Sequence, residues 1–247
     1  MEIRLNEGER LEPLGKKYSI VVSDEHIFGT DAVLLSSFCR VKEKTKACEL
    51  GTGCGIISVL WCKNGCRDVT AVEIQKKACE QLEKTVALNG LEEQLTLLHG
   101  DLRQLRGVLP MGSFELVCMN PPYKPVGTGI ESASEADRIA RHETVCNIDD
   151  VTAAAAYLLK YGGRLCLCHR PERLCDVIVS MRNAGIEPKR LRFVVQQEGK
   201  KPWLFLIEGR LGSGRGITVE NELVIKKPDG SNTDELCEIF GDYTEGH

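Results

Sequence analysis

Seven short apolar runs punctuate the 247-residue chain, and helical periodicity follows most of them. Strands are predicted near 46–50, 69–74, 95–101, 114–120, 163–168 and 190–195. A seventh, Trp203 to Gly209, follows 190–195 after a short loop and is expected to pair antiparallel beside it, as in a hairpin. Strands alternating with helices predict an α/β, Rossmann-like fold: a seven-stranded, mostly parallel sheet with an antiparallel last strand. Helical patterns run from Ala32 to Cys39, with Thr30 and Asp31 placed to cap it, and from Ile56 to Cys62. Residues 1–30 read as an N-terminal leader packing on the core, with a hairpin or short strands before about residue 23. Residues 31–247 read as one domain without internal repeats. The polar stretch Lys124 to Asn147 is long enough to be a functional loop and is expected to gate a site near 124–147.

The chemistry gathers at strand ends. Phe114 to Met119 is a buried-strand pattern, and Asn120-Pro121-Pro122-Tyr123 follows it at the carboxyl end, where open α/β sheets bind ligands. This tetrad suits methylation of a planar, conjugated amine. The lone pair of such an amine is delocalised, so it attacks poorly unless its N–H bonds are accepted and pyramidal nitrogen is favoured. The Asn120 oxygen and the Pro121 carbonyl supply two acceptors. The prolines fix φ and carry no competing N–H, and Tyr123 offers a stacking face. Upstream, Glu49-Leu50-Gly51-Thr52-Gly53-Cys54-Gly55 is a strand-to-helix turn that allows close backbone approach at a helix N-terminus. Its G-x-G-x-G spacing differs from the dinucleotide fingerprint, and no P-loop motif is present. Glu49 suits a cationic group such as the α-ammonium of S-adenosylmethionine. Glu73 closes the strand Val69 to Val72 where a ribose diol is usually held, and Asp101 is placed to bond an adenine amino group.

Further motifs point to a family. Phe28-Gly29-Thr30-Asp31-Ala32-Val33-Leu34-Leu35, the glycine loop, Ala71-Val72-Glu73-Ile74, Gly100-Asp101 and the Asn120–Tyr123 tetrad together resemble the bacterial tRNA adenine-N6 methyltransferases that modify the adenine beside the anticodon of a valine tRNA. Arg141-His142-Glu143, His169 to Leu174 and Glu187 to Val194 resemble stretches of that family's Gram-positive branch. Asp24-Glu25-His26 departs from the pattern by its charge. The resemblance implies a class I methyltransferase fold and S-adenosylmethionine as cofactor. It also implies a cofactor site drawn from Thr30, Asp31, Glu49, Gly51, Thr52, Gly53, Cys54, Gly55, Glu73, Ile74, Gly100, Asp101, Leu102 and Asn120. Catalysis then falls to Asn120, Pro121, Pro122 and Tyr123, on a base flipped out of its stack. Protein-glutamine N5 methylation uses the same tetrad, but on enzymes with a sizeable helical domain before the glycine loop; here only about 48 residues precede it. Guanine-N2 methylation of ribosomal RNA and a noncatalytic cofactor-binding RNA chaperone are further alternatives.

Charge bears on the substrate. The chain carries a formal net charge of −4, whereas RNA-binding surfaces are basic. Residues 228–247 hold six acids and no Lys or Arg, so the remaining 227 carry 32 basic and 30 acidic groups. Basic candidates for substrate contact are Lys16, Lys17, Lys124, Arg138, Arg141, His142, Arg170, Lys189 and Arg190, with Arg173 and Arg192 in the same clusters. His142 suits a phosphate contact better than acid–base work. Twelve cysteines are scattered without a C-x-x-C, which fits reduced core residues in a cytoplasmic protein and no metal site. Cys54, in the glycine loop, reads as a small loop residue, with sensitivity to oxidation as the alternative. No apolar run is long enough to cross a membrane. A monomer or weak homodimer acting on tRNA is expected.

Overall fold

A computed structural model describes residues 3–121 and 146–246. Strand β3 (Lys46–Leu50) lies at the switch point of the main sheet. From it the chain steps outward through β4 (Asp68–Glu73) to β5 (Leu95–His99), then returns to place β6 (Phe114–Met119) on the other side of β3. These pairs are all parallel, with Glu49 opposite both Ala71 and Cys118. Next to β6 stands β7 (Leu159–His169), and then β9 (Pro202–Leu211) runs antiparallel between β7 and β8 (Ile186–Val195). The expected hairpin forms, with its second strand inserted between β7 and β8. Two-residue strands β10 (Thr218–Val219) and β11 (Leu223–Val224) extend the β8 edge.

Two strands are longer than their apolar runs. β7 starts at Leu159, directly after helix α4 (Ile148–Leu158), because Lys160, Tyr161 and Gly162 continue it without any apolar signal. β8 starts at Ile186, and its ladder shifts register between Pro188 and Arg190. A proline cannot donate to the ladder, so it sits at an irregularity and hides the start of the strand.

Alternation along the strands divides the core. Ala47, Ala71, Cys118 and Cys166 face one layer, made by α1 (Thr30–Phe38), α2 (Ile56–Lys63) and α3 (Lys76–Asn89). Cys48, Val72, Val117 and Leu165 face the other, made by α4 and α5 (Leu174–Asn183). The leader forms an antiparallel hairpin, β1 (Glu9–Pro13) with β2 (Ser19–Ser23). It is fastened to α3 by the Val21 N–H donating to Thr85 Oγ1 and the Ser19 N–H to Asn89 Oδ1.

The acidic tail is docked. In α6 (Asp234–Phe240) Leu236 is buried, Glu235 pairs with Arg192, and Asp234 pairs with Lys227. Beyond it Asp242 pairs with Lys63. Much of the charge counted in the tail is therefore spent on the body of the protein.

Candidate active site at the carboxyl edge of the sheet

The ends of β3, β4, β5, β6 and β7 come level at one edge, so five connecting segments meet there. The turn after β3 lies beside the one after β6, at the point where the strand order reverses and ligands of such sheets bind.

The glycine turn owes its shape to its sequence. Gly51, Gly53 and Gly55 all have positive φ (61°, 55° and 89°). A Cβ at Gly55 would come within 2.3 Å of Leu82 and one at Gly51 within 2.9 Å of Met119, whereas one at Gly53 would meet nothing within 4 Å. The middle glycine thus leaves its backbone open to a ligand while its neighbours are pinned. Gly55 precedes the first residue of α2, whose N–H groups point into the turn.

Two carboxylates brace this turn. Glu49 is buried, and its Oε2 accepts from Thr52 Oγ1 (2.6 Å), the Ser58 N–H (2.9 Å) and Ser58 Oγ. All three bonds use one oxygen and leave Oε1 unspent. Burial pushes the Glu49 carboxyl up to about 7, although the Ser58 and Thr52 bonds oppose the rise. Glu73, also buried, accepts from the Gly53 N–H through Oε2 (2.7 Å) and from the Ile74 and Gln75 N–H groups through Oε1. Cys54 is buried, and its thiol is pushed up to about 12 by burial, the environment of an inert core cysteine and not of an oxidation sensor.

Asn120 ends β6 with its side chain held at both ends. Nδ2 donates to Asp31 Oδ2 at 3.2 Å, and Oδ1 accepts from the Cys168 thiol at 3.1 Å. A carboxylate can only accept, so it fixes which end of the amide is nitrogen. Asp31 therefore does something its sequence position did not suggest. The N-cap of α1 is Gly29, without a side-chain cap, and Thr30 is already the first helical residue. Asp31 Oδ1 takes the Ala32 N–H while Oδ2 holds Asn120. Cys168 was absent from the sequence-derived site; only the register of β7 against β6 brings it there.

Other expected groups fall differently. Asp101 accepts from the Arg103 backbone N–H, Nε and Nη2, and this partner holds its carboxyl below the usual range. An adenine amine would compete with a guanidinium for it. Gly100 and the half-buried Ile74 stand beside Glu73, and Leu102 is buried in the core. Arg170 follows β7 at the same edge, close to Trp203 (5.7 Å from the ring centroid). Lys16 and Lys17 lie away from the site: their turn follows Pro13 and precedes Ser19, which is tied to Asn89 at the far end of α3. Lys189 and Arg190 sit in the lower half of β8. Lys189 donates to the Gly214 carbonyl, and Arg190 pairs with Glu208 and covers the Phe38 ring at 3.8 Å. Pro122, Tyr123, Lys124, Arg138, Arg141, His142 and the expected gate loop lie outside the described residues, except for its last two positions, Cys146 and Asn147. Among the described residues there is no cluster fit for a metal ion and no helix long and apolar enough to cross a membrane.

A switch-point site with a glycine turn, strand-end carboxylates and a clamped asparagine defines a class I methyltransferase. The methyltransferase small domain model matches residues 19–179, and the chain belongs to that family. Among curated relatives, the tRNA1(Val) (adenine(37)-N6)-methyltransferase of Aeromonas hydrophila is 24% identical over 87% of this chain and 89% of its own. The protein of the same name from Citrobacter koseri is 27% identical over 81% of each. Among solved structures, a predicted O-methyltransferase of Agrobacterium tumefaciens superposes with a TM-score of 0.70 at 18% identity, covering 87% of this chain and 97% of its own. The tRNA m1G37 methyltransferase of M. jannaschii gives 0.57 at 16%, covering 85% and 56%. Enzymes of this class take the methyl group from S-adenosylmethionine.

Proposed function

We propose that this protein transfers a methyl group from S-adenosylmethionine to N6 of an adenine in tRNA, beside the anticodon. The observation that carries it is the Asn120 amide at the end of β6, next to the glycine turn: its nitrogen donates to Asp31 and its oxygen accepts from the Cys168 thiol, so the group is held in one orientation before a substrate arrives. The relatives named for this reaction align over most of both chains.

The donor supplies an electrophilic methyl carried on a sulfonium. The open backbone of Gly53, the Glu73 carboxylate and the unspent Glu49 oxygen fit its amino-acid and ribose parts. Ile74, beside Glu73, offers apolar surface to its adenine. Glu73 Oε2 carries one bond, from the Gly53 N–H, and keeps a second acceptor site for a ribose hydroxyl. Asn120 Oδ1 and the Pro121 carbonyl accept the two N–H bonds of the target amine and favour pyramidal nitrogen. No strong base is required, because the nitrogen becomes acidic once alkylated; proximity and fixed dipoles supply the rate. Tyr123 stacks on the flipped base, and Arg170 at the same edge meets backbone phosphate. The protein acts in the cytoplasm, as a monomer or weak dimer.

The test is to incubate the protein with S-adenosylmethionine and unmodified tRNA, with a release factor in parallel, and to read nucleosides and peptides by mass spectrometry. N6-methyladenosine in the tRNA is expected. Methylglutamine in the release factor with clean tRNA would replace this reading by glutamine N5 methylation.

A further inference from the structure

At the opposite, amino edge of the sheet lies a cleft of about 740 Å³, lined by seven Arg and Lys side chains against two Glu. In a chain of net charge −4 this is a strong local concentration of positive charge. Arg164 and Arg190 are neutralised by the buried Glu208. Lys160 pairs with Glu115 and Arg40 with Glu220, and Lys189 donates to the Gly214 carbonyl, which leaves Lys42 and Arg210 as the less committed cations of the lining. Lys42 is exposed with no side-chain partner among the described residues, and Arg210 stands 3.7 Å from Glu208 with its side chain half exposed.

Three further features adjoin the cleft. Tyr161, between the lining residues Lys160 and Gly162, is 83% exposed, and its hydroxyl donates to the Gly212 carbonyl, which holds the ring at the rim. The loop Gly212-Ser213-Gly214-Arg215-Gly216 bounds the cleft with almost no side-chain bulk and presents Arg215, exposed and likewise without a side-chain partner among the described residues. Arg40 is the one non-glycine residue with positive φ among those described (47°). Backbone strain of this kind clusters at functional sites, and Arg40 lines this cleft with its guanidinium paired to Glu220.

Cations spread over a wide groove, a glycine loop open to close approach, and an exposed aromatic ring together match the backbone and bases of RNA. We propose that this edge is an RNA exosite, gripping the substrate's phosphate backbone away from the point of methyl transfer; it rests on the RNA reading above. Glu115, which lines the cleft, and Asn120 are the near ends of a span of five residues along β6, about 17 Å at strand rise. A substrate RNA has to extend at least that far from its target base to occupy both places together. Electrostatic concentration here also reconciles an acidic protein with a nucleic-acid substrate.

The test compares the wild type with the triple variant Lys42→Gln, Arg210→Gln, Arg215→Gln, and with Tyr161→Ala, all at exposed positions. Methylation kinetics and fluorescence-anisotropy binding would be measured with intact tRNA and with a short single-stranded oligonucleotide carrying the anticodon loop. For the triple variant, KM for tRNA is expected to rise about tenfold at physiological salt. Its log–log salt dependence should become shallower by about two, as two to three phosphate contacts are lost. The kcat, the cofactor affinity and the oligonucleotide KM should stay unchanged. Tyr161→Ala should weaken tRNA binding severalfold through lost stacking. If the wild type methylates tRNA and the triple variant keeps its KM and salt slope, the exosite is overturned and the proposed reaction stands. If the wild type methylates no RNA but binds tRNA with the same charge dependence, the reaction is overturned and the exosite stands. Absence of tRNA binding by the wild type removes both.

Discussion

The Cys168 thiol lies 3.1 Å from the Asn120 amide oxygen and donates to it across the β6–β7 pair. A thiol is a weak donor, so it bonds Oδ1 without cancelling the basicity of that oxygen. With Asp31 holding the other end, the amide is pre-set before substrate arrives. Cys168→Ser, which keeps a donor, should retain kcat within about threefold. Cys168→Val should lower kcat about tenfold with little change in KM, about the worth of one hydrogen bond. Equal kinetics for both variants would deny the thiol any positioning role.

Asn120 itself carries the larger effect. Asn120→Ala should lower kcat by about 10²–10³, the usual loss for one preorganised polar group at the reacting atoms. Cofactor affinity, measured by calorimetry, should stay within a few-fold. A parallel fall in both would make Asn120 chiefly a cofactor ligand.

Asp31 should act through Asn120. Asp31→Ala frees the amide to rotate and is expected to lower kcat about tenfold, with cofactor affinity kept. Asp31→Asn preserves size and one acceptor and should recover part of that loss. If Asp31→Ala weakens cofactor binding as strongly as it lowers kcat, its role lies with the cofactor instead.

The buried Glu49 makes stability pH-dependent in a defined direction. Its carboxyl is raised to about 7 by burial, against an ordinary value of 4.5. Between these values the folded state binds the extra proton, so stability falls as pH rises from about 4.5 to 7 and levels off above. The shift corresponds to at most ~3 kcal/mol. His169 works the other way over part of this range, since burial and the nearby Arg173 and Arg170 lower it. The difference between wild type and Glu49→Gln isolates the carboxylate. Denaturation midpoints at pH 5 and pH 8 should favour the variant progressively toward the higher pH; a difference independent of pH would refute the assignment.

Glu208 holds Arg164 and Arg190 together between β7 and β8 at 2.9 and 3.0 Å. Burial opposes its charge, yet the two guanidiniums keep its carboxyl below the ordinary range. Removing one partner of a buried pair leaves uncompensated charge, so Glu208→Ala should cost about 3 kcal/mol or more in chemical denaturation. A loss under 1 kcal/mol would mean that water already solvates the cluster.

The glycine turn, the strand-end acids and Asn120 could be read from residue order because each is a local device: a short strand, a tight turn, a polar group at its end. Periodicity 2 and 3.6 located the strands and helices for the same reason. Reading failed where local signal was masked. Pro188 hid the start of β8, and Lys160 to Gly162 carry no apolar pattern although they begin β7. Charge clusters were the least legible in placement. Lys16, Lys17, Lys189 and Arg190 looked equivalent to Arg170 along the chain, yet only Arg170 reaches the carboxyl edge.

By itself the sequence determined the α/β class, the glycine turn after one strand and the amide at the end of another, since these follow from neighbouring residues. Tertiary structure decided who partners whom. It joined Asp31 to Asn120 across 89 positions and Cys168 across 48, tied Asp101 to Arg103, and gathered basic residues from three strands and the segment after α1 into one cleft on the far edge. Those outcomes depend on strand order and register, and one residue of slip turns a side chain to the other face.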